Sequence, residues 1–174
     1  MTCAKTFSIT LLLSLACCAL ATQGQAPASI KAYYDKSDEL LRKMDSAGLE
    51  KLTLASHTKD YTSTSLPDKT GNVTKRTAMD QVKALKPTFA IVQEFTKVAT
   101  RFDHANVTAD TVVLTVTSTI AASTKKMKSG TFHKFVVVGT SEDIWVKNGL
   151  AWQIKSTRVL SRNMTWDGRA LPGN

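Results

Sequence analysis

The chain has 174 residues, 43% of them hydrophobic, and a formal net charge of +9. This is the length of one domain with enough apolar material for a core, so wholesale disorder is excluded. The charge is spread out. Its densest group, Lys125, Lys126 and Lys128 beside Gly130, reads as a solvated loop without the interleaved aromatics of a nucleic-acid platform, so nucleic acid is not an expected partner.

Residues 1–21 read as an export signal. Lys5 supplies the positive start, Phe7 to Leu20 an apolar run, and Ala19-Leu20-Ala21 a small-x-small cleavage site. The run is short for a bilayer span, which needs ~20 apolar residues. The protein is therefore expected to be secreted or periplasmic, cut after Ala21. A lipid anchor on Cys17 or Cys18 is the alternative, since Leu15-Ala16-Cys17-Cys18 resembles a lipoprotein box. Cys3, Cys17 and Cys18 are the only cysteines, so the processed chain has no thiol for a disulfide, a zinc site or a nucleophile.

Residues 22–29 read as a flexible N-terminus. A first helix follows from Ile30 to Asp45, with Ile30, Tyr33, Tyr34, Leu40, Leu41 and Met44 at helical spacing. Ser29 is placed to cap it, and Gly48 to take the left-handed position past its end. A short second helix spans Leu49 to Ser56. Asp60 to Leu66 suits a polar strand, and Pro67 to Asn72 a turn. Thr77 and Asp80 have capping-box spacing for a third helix, which Pro87 breaks or bends. Phe95 to Val107 alternates as a strand, with Val98, Thr100 and Phe102 on one side. Thr111 to Ile120 is a stronger one. Thr131 to Asp143 runs into a hairpin at Asn148-Gly149, two residues that tolerate positive φ. Residues 162–174 read as a C-terminal tail holding Trp166. Helices followed by antiparallel strands make an α+β domain over 30–161.

Asp45-Ser46-Ala47-Gly48 after the first helix, the cap at Thr77, and Asp143-Ile144-Trp145-Val146 with Asn148-Gly149 and Trp152-Gln153-Ile154 resemble the nuclear transport factor 2-like superfamily. They are similar to its secreted SnoaL-like branch and to the association domain of calmodulin-dependent kinase. The resemblance implies a curved antiparallel sheet wrapped around N-terminal helices. This is a cone-shaped, cystatin-like α+β barrel with a pocket at its wide end, often a homodimer through the sheet. The ketosteroid-isomerase pattern does not carry over. Ser65 or a neighbour stands where the base belongs, and Leu41 where the tyrosine belongs.

If Asp143 and Trp145 face inward, strand parity turns His133 and Phe135 inward too, and Arg158 could approach Asp143. With Tyr33 and Phe102 these form a candidate ligand pocket for a small apolar or anionic molecule. The same residues could instead be a self-satisfied ion pair and core aromatics. His57, His104 and His133 show no metal spacing, and no phosphate loop, nucleophile elbow or Ser-His-Asp order stands out. No cofactor, metal or catalytic residue is assigned. Asn72, Asn106 and Asn163 begin Asn-x-Thr glycosylation sequences. The reading is a binding or dimeric interaction module, with an isomerase, cyclase or dehydratase using His133, Asp143 or Tyr33 as the alternative. A filled cone serving adhesion is the third possibility.

Overall fold

The computed structural model describes residues 22–126 and 130–170. Residues 1–21, expected to be an export signal, Lys128 of the basic loop and residues 171–174 lie outside the described residues.

In chain order the elements are β1 (Thr22–Gln23), α1 (Ala28–Arg42), α2 (Ser46–Ser56), β2 (His57–Thr64), β3 (Lys75–Arg76) and α3 (Ala78–Ile91). Then follow β4 (Val92–Val107), β5 (Thr111–Thr124), β6 (Lys134–Asn148), β7 (Ala151–Trp166) and β8 (Arg169–Ala170). One curved sheet runs in the order β1-β4-β5-β6-β7-β2-β3, with β8 on β7. This is the expected α+β cone. One pairing departs from an all-antiparallel sheet: β2 lies parallel to β7.

Alternation explains the core. Val112, Leu114 and Val116 of β5 are buried, and they meet Trp145 of β6, Ile154 of β7 and the Ile30–Tyr34 face of α1. Each inward side chain is two residues from the next, so one strand face supplies one wall.

The helix ends differ from expectation in instructive ways. Pro27, not Ser29, stands at the α1 N-cap, without a side-chain cap bond. Proline cannot donate from its own nitrogen, which suits a position where that donor has no helical partner. The left-handed residue after α1 is Met44, at φ 55, not Gly48. Gly48 lies inside α2, where its N–H donates to the Asp45 side chain at 2.8 Å. A Cβ there would stand 2.5 Å from Asp45 Oδ2 and 2.7 Å from Leu40 Cδ2, so glycine is needed for space rather than for its φ. Thr77 caps α3 through a full capping box with Asp80. The helix continues through Pro87 to Ile91, so Pro87 does not end it.

Gly149 alone in the β6–β7 turn has positive φ, at 63°. Asn148 pairs with Ala151, so Gly149 and Leu150 are the two central residues rather than Asn148 and Gly149. Glycine first is the pattern of a II′ hairpin. β7 runs past Ser161, where the tail was expected to begin, to Trp166, then turns at Asp167-Gly168 into β8. At the other end, Thr22 and Gln23 pair with Val107 and Asn106, so the start of the flexible segment is an edge strand.

Candidate functional site

The centre of the cone is a polar knot inside an aromatic shell. Asp143 on β6 is 5% exposed and Trp145 1%. Tyr34 of α1 donates from its hydroxyl to Asp143 Oδ2 at 2.5 Å. The same hydroxyl accepts from Trp145 Nε1 at 3.3 Å, and Ser141 donates to Asp143 Oδ1 at 3.3 Å. Burial pushes the Asp143 carboxyl above the usual carboxylate range, while the hydroxyls of Tyr34, Thr157 and Ser141 pull it back. Burial, and then the nearby carboxylate, raise the phenols of Tyr34 and Tyr33 well above their ordinary value. Among the described residues no ammonium or guanidinium forms a salt bridge with Asp143.

Rings extend the knot in both directions. Tyr34 meets Phe102 edge-on at 5.2 Å, and Tyr33 meets Trp145 at 5.1 Å. Beyond Tyr33 lie His57 at 6.3 Å and then Tyr61, 4.2 Å from His57. His57 is buried at the start of β2, its Nδ1 2.6 Å from the Thr53 carbonyl oxygen. That oxygen can only accept, so Nδ1 carries the proton and donates. Burial lowers the His57 pKa, and the hydrogen bond to the Thr53 carbonyl partly offsets this.

Of the expected pocket residues, Tyr33, Phe102, Asp143 and Trp145 come together here. Arg158 does not. Lys155 bulges between the pairs Ile144–Ser156 and Trp145–Ile154, which reverses the facing of the residues that follow. Thr157 therefore lies opposite Asp143, and Arg158 opposite Glu142, which it binds at 3.1 Å on the exposed side. The expected approach of Arg158 to Asp143 is thus replaced by a surface pair. Phe135 shares the inward parity of Asp143 but lies eight residues away along β6, ~26 Å in an extended strand. There Phe135 stacks on Trp166, and His133 packs against that same ring. Tyr34, His57 and Tyr61 were absent from the expected set. Tyr34 was visible only as a core position of α1, and His57 only as an isolated histidine.

A cleft of about 410 Å³ opens on the outer side of Phe102, lined by Gly24–Ala26, Lys31 and Phe102–Ala105. Its far wall is the segment after β1, tied to β4 by Gly24 N–H donating to the Ala105 carbonyl at 3.4 Å. Lys31, whose ammonium pairs with Asp35 at 2.7 Å, and His104 line it, while the Asp103 carboxylate is taken by Arg101 and Thr117. Among the described residues no cluster of three or more His, Cys, Asp or Glu could hold a metal, and no helix is long and apolar enough to cross a membrane.

Solved structures share this α+β cone fold. A protein from Kribbella flavida (Kfla4162) superposes with a TM-score of 0.60 at 14% identity, over 78% of this chain and 90% of its own. A conserved protein from Planctomyces limnophilus gives 0.55 at 14% identity, over 75% and 91%. A type 2 hexachlorocyclohexane dehydrochlorinase gives 0.51 at 12% identity, over 84% and 89%. No protein-family model and no curated protein matches the sequence. Likeness at this identity defines the fold, and the chemistry must come from this chain's own side chains.

Proposed function

We propose that the protein is an exported small-molecule-binding module whose cone interior carries out no reaction. One observation carries this reading. The carboxylate where acid–base chemistry would reside, Asp143, is buried and already accepts from Tyr34 and Ser141. An acid or base needs a free position facing its substrate; here the positions are filled by the protein itself. The cleft beside Phe102 is the seat for the ligand, a small anionic molecule with an apolar body. Its ring would lie against Phe102 and its charge near Lys31 and His104.

The outward face of β5 and β6 offers Val113, Ile144, Val146 and Val136, with Val138 36% exposed. These apolar residues, with the Glu142–Arg158 pair between Val138 and Ile144, support a homodimer through the sheet. Export would leave Thr22, the first residue of β1, as the new N-terminus.

Thermal shift against a panel of aromatic carboxylates and steroids tests the proposal, since a ligand of the folded state raises the melting point by mass action. Stabilisation by carboxylates that is lost in Lys31→Ala is the expected result. A flat response across the panel refutes a ligand site. A second reading, an isomerase or dehydratase working from Asp143, has one feature in its favour: the upward-pushed carboxyl beside Tyr34. It requires turnover that disappears in Asp143→Asn.

A further inference from the structure

We propose that Thr131, His133 and Asp167, at the opposite end of the sheet, form a separate hydrolytic site for small carboxylic esters. The His133 Nδ1 lies 2.6 Å from Asp167 Oδ2, and its Nε2 lies 3.2 Å from the Thr131 hydroxyl. A carboxylate at Nδ1 fixes the proton there. Nε2 is then the lone-pair nitrogen, and the threonine hydroxyl is the donor towards it. This is the order of groups that activates an alcohol: nucleophile, base, and an acid that orients the base.

The parts are held from several directions. The His133 backbone is locked to Thr124, its N–H donating to Thr124 Oγ1 at 3.0 Å and its carbonyl accepting from Thr124 N–H at 2.8 Å. Asp167 Oδ1 accepts from the Lys134 N–H at 2.8 Å, and the Asp167 N–H donates to the Lys134 carbonyl at 2.7 Å. Asp167 takes φ 49, a conformation that side chains other than those of asparagine and aspartate rarely adopt. Trp166 lies against the His133 ring at 5.2 Å and restrains its rotation. The His133 side chain keeps 25% of its surface exposed, so a substrate can reach it. Phe132, 62% exposed, is next to the nucleophile and gives an apolar surface for an acyl or aryl group. The Lys126 side chain passes over Gly130, its Cε 3.8 Å from where a Cβ would stand.

The steps balance. Thr131 Oγ1 attacks the ester carbonyl carbon as its proton moves to His133 Nε2, and the carbonyl oxygen takes the negative charge. The carbon–oxygen bond to the leaving alcohol breaks, and Nε2 returns the proton to that oxygen. Water then attacks the Thr131 acyl ester, with Nε2 again taking a proton and handing it to Oγ1. The net change is ester plus water to carboxylic acid plus alcohol. This site does not depend on the cone's function.

The test is multiple-turnover hydrolysis of p-nitrophenyl acetate and butyrate by the whole protein, with circular dichroism on every variant. The wild type should turn over above buffer. Thr131→Val should abolish turnover, and His133→Gln should cut it ~100-fold, the scale of general-base catalysis. Asp167 is a positioning residue, so Asp167→Asn should lower kcat and leave KM unchanged. Diisopropyl fluorophosphate should add its phosphoryl mass to Thr131 in the wild type and not in His133→Gln. No turnover by the wild type overturns the proposal. So does a Thr131→Val variant as active as wild type, because a lone surface imidazole would then suffice. Thr131 lies outside every helix and strand, so its replacement by valine is the decisive variant if His133→Gln fails to fold.

Discussion

Replacing Tyr34 with phenylalanine removes one oxygen and keeps the ring contacts with Tyr33, Phe102 and Trp145. Two hydrogen bonds go with it, the donation to Asp143 and the acceptance from Trp145. A hydrogen bond to a charged group contributes ~1.5–3 kcal/mol, and a stranded buried indole N–H costs ~1 kcal/mol more. The expected loss is ~3 kcal/mol, or ~6–12 °C in Tm for a domain of this size. The pH dependence identifies the cause. Asp143 is already raised by burial, and losing a donor to its charged form raises it further. A carboxyl raised in the folded state costs stability as pH climbs from its unfolded value, ~3.9, through its folded value. Below that range both states are protonated and no charge is buried. The deficit of Tyr34→Phe should therefore be smallest near the bottom of that range and widen towards neutral pH. Urea unfolding at three pH values, with matching m-values, reads this directly. A deficit under ~0.5 kcal/mol, the size of a neutral surface change, would refute the claim that Tyr34 supports the buried Asp143 carboxyl; a deficit that ignores pH would do the same.

Three further outcomes follow from the described contacts. Gly48→Ala should destabilise by ~1–3 kcal/mol, the usual range for forced overpacking, and by less in an Asp45→Ala background, where the colliding oxygen is gone and only Leu40 Cδ2 must give way; chemical unfolding of the two single variants and the double variant decides it. Asp38 accepts from the Thr100 N–H at 2.8 Å and so covers a donor on the edge of β4, which makes Asp38→Ala cost ~1–2 kcal/mol, speed amide exchange at Thr100 and promote aggregation. His57, lowered by burial, should make the protein lose stability as pH falls from ~6.5 through its folded value, with no contribution above that point. His57→Phe should flatten that slope; an unchanged slope would place the proton uptake elsewhere.

The strand pattern and the helix cap were readable because each depends on a few neighbouring residues. Val112, Leu114 and Val116 alternate over a short window, and Thr77 and Asp80 close their box within one turn. Three things were not readable. The bulge at Lys155 inserts one residue and reverses Arg158, yet no glycine or proline marks it. Gly48 was read as a left-handed terminator because the usual reason for a glycine is its φ, whereas here it is the space taken by the Asp45 cap. The pairing of Tyr34 with Asp143 joins residues 109 positions apart, and nothing local in either segment announces the other. His133 and Asp167 were hidden for the same reason, since Asp167 fell in a stretch read as tail.

The parallel contact of β2 with β7 sets an order of assembly. β2 is made early, but apart from the two-residue β3 its sheet partner is the last long strand, so β2 has no long neighbour to pair with until the C-terminal hairpin exists. At ~5–20 residues per second, the roughly ninety residues between them take about 5–20 s to emerge from the ribosome. Throughout that interval β2 lacks its long neighbour, although β4 and β5 are already available to cover α1. The strand made last is therefore the one that closes the sheet onto β2.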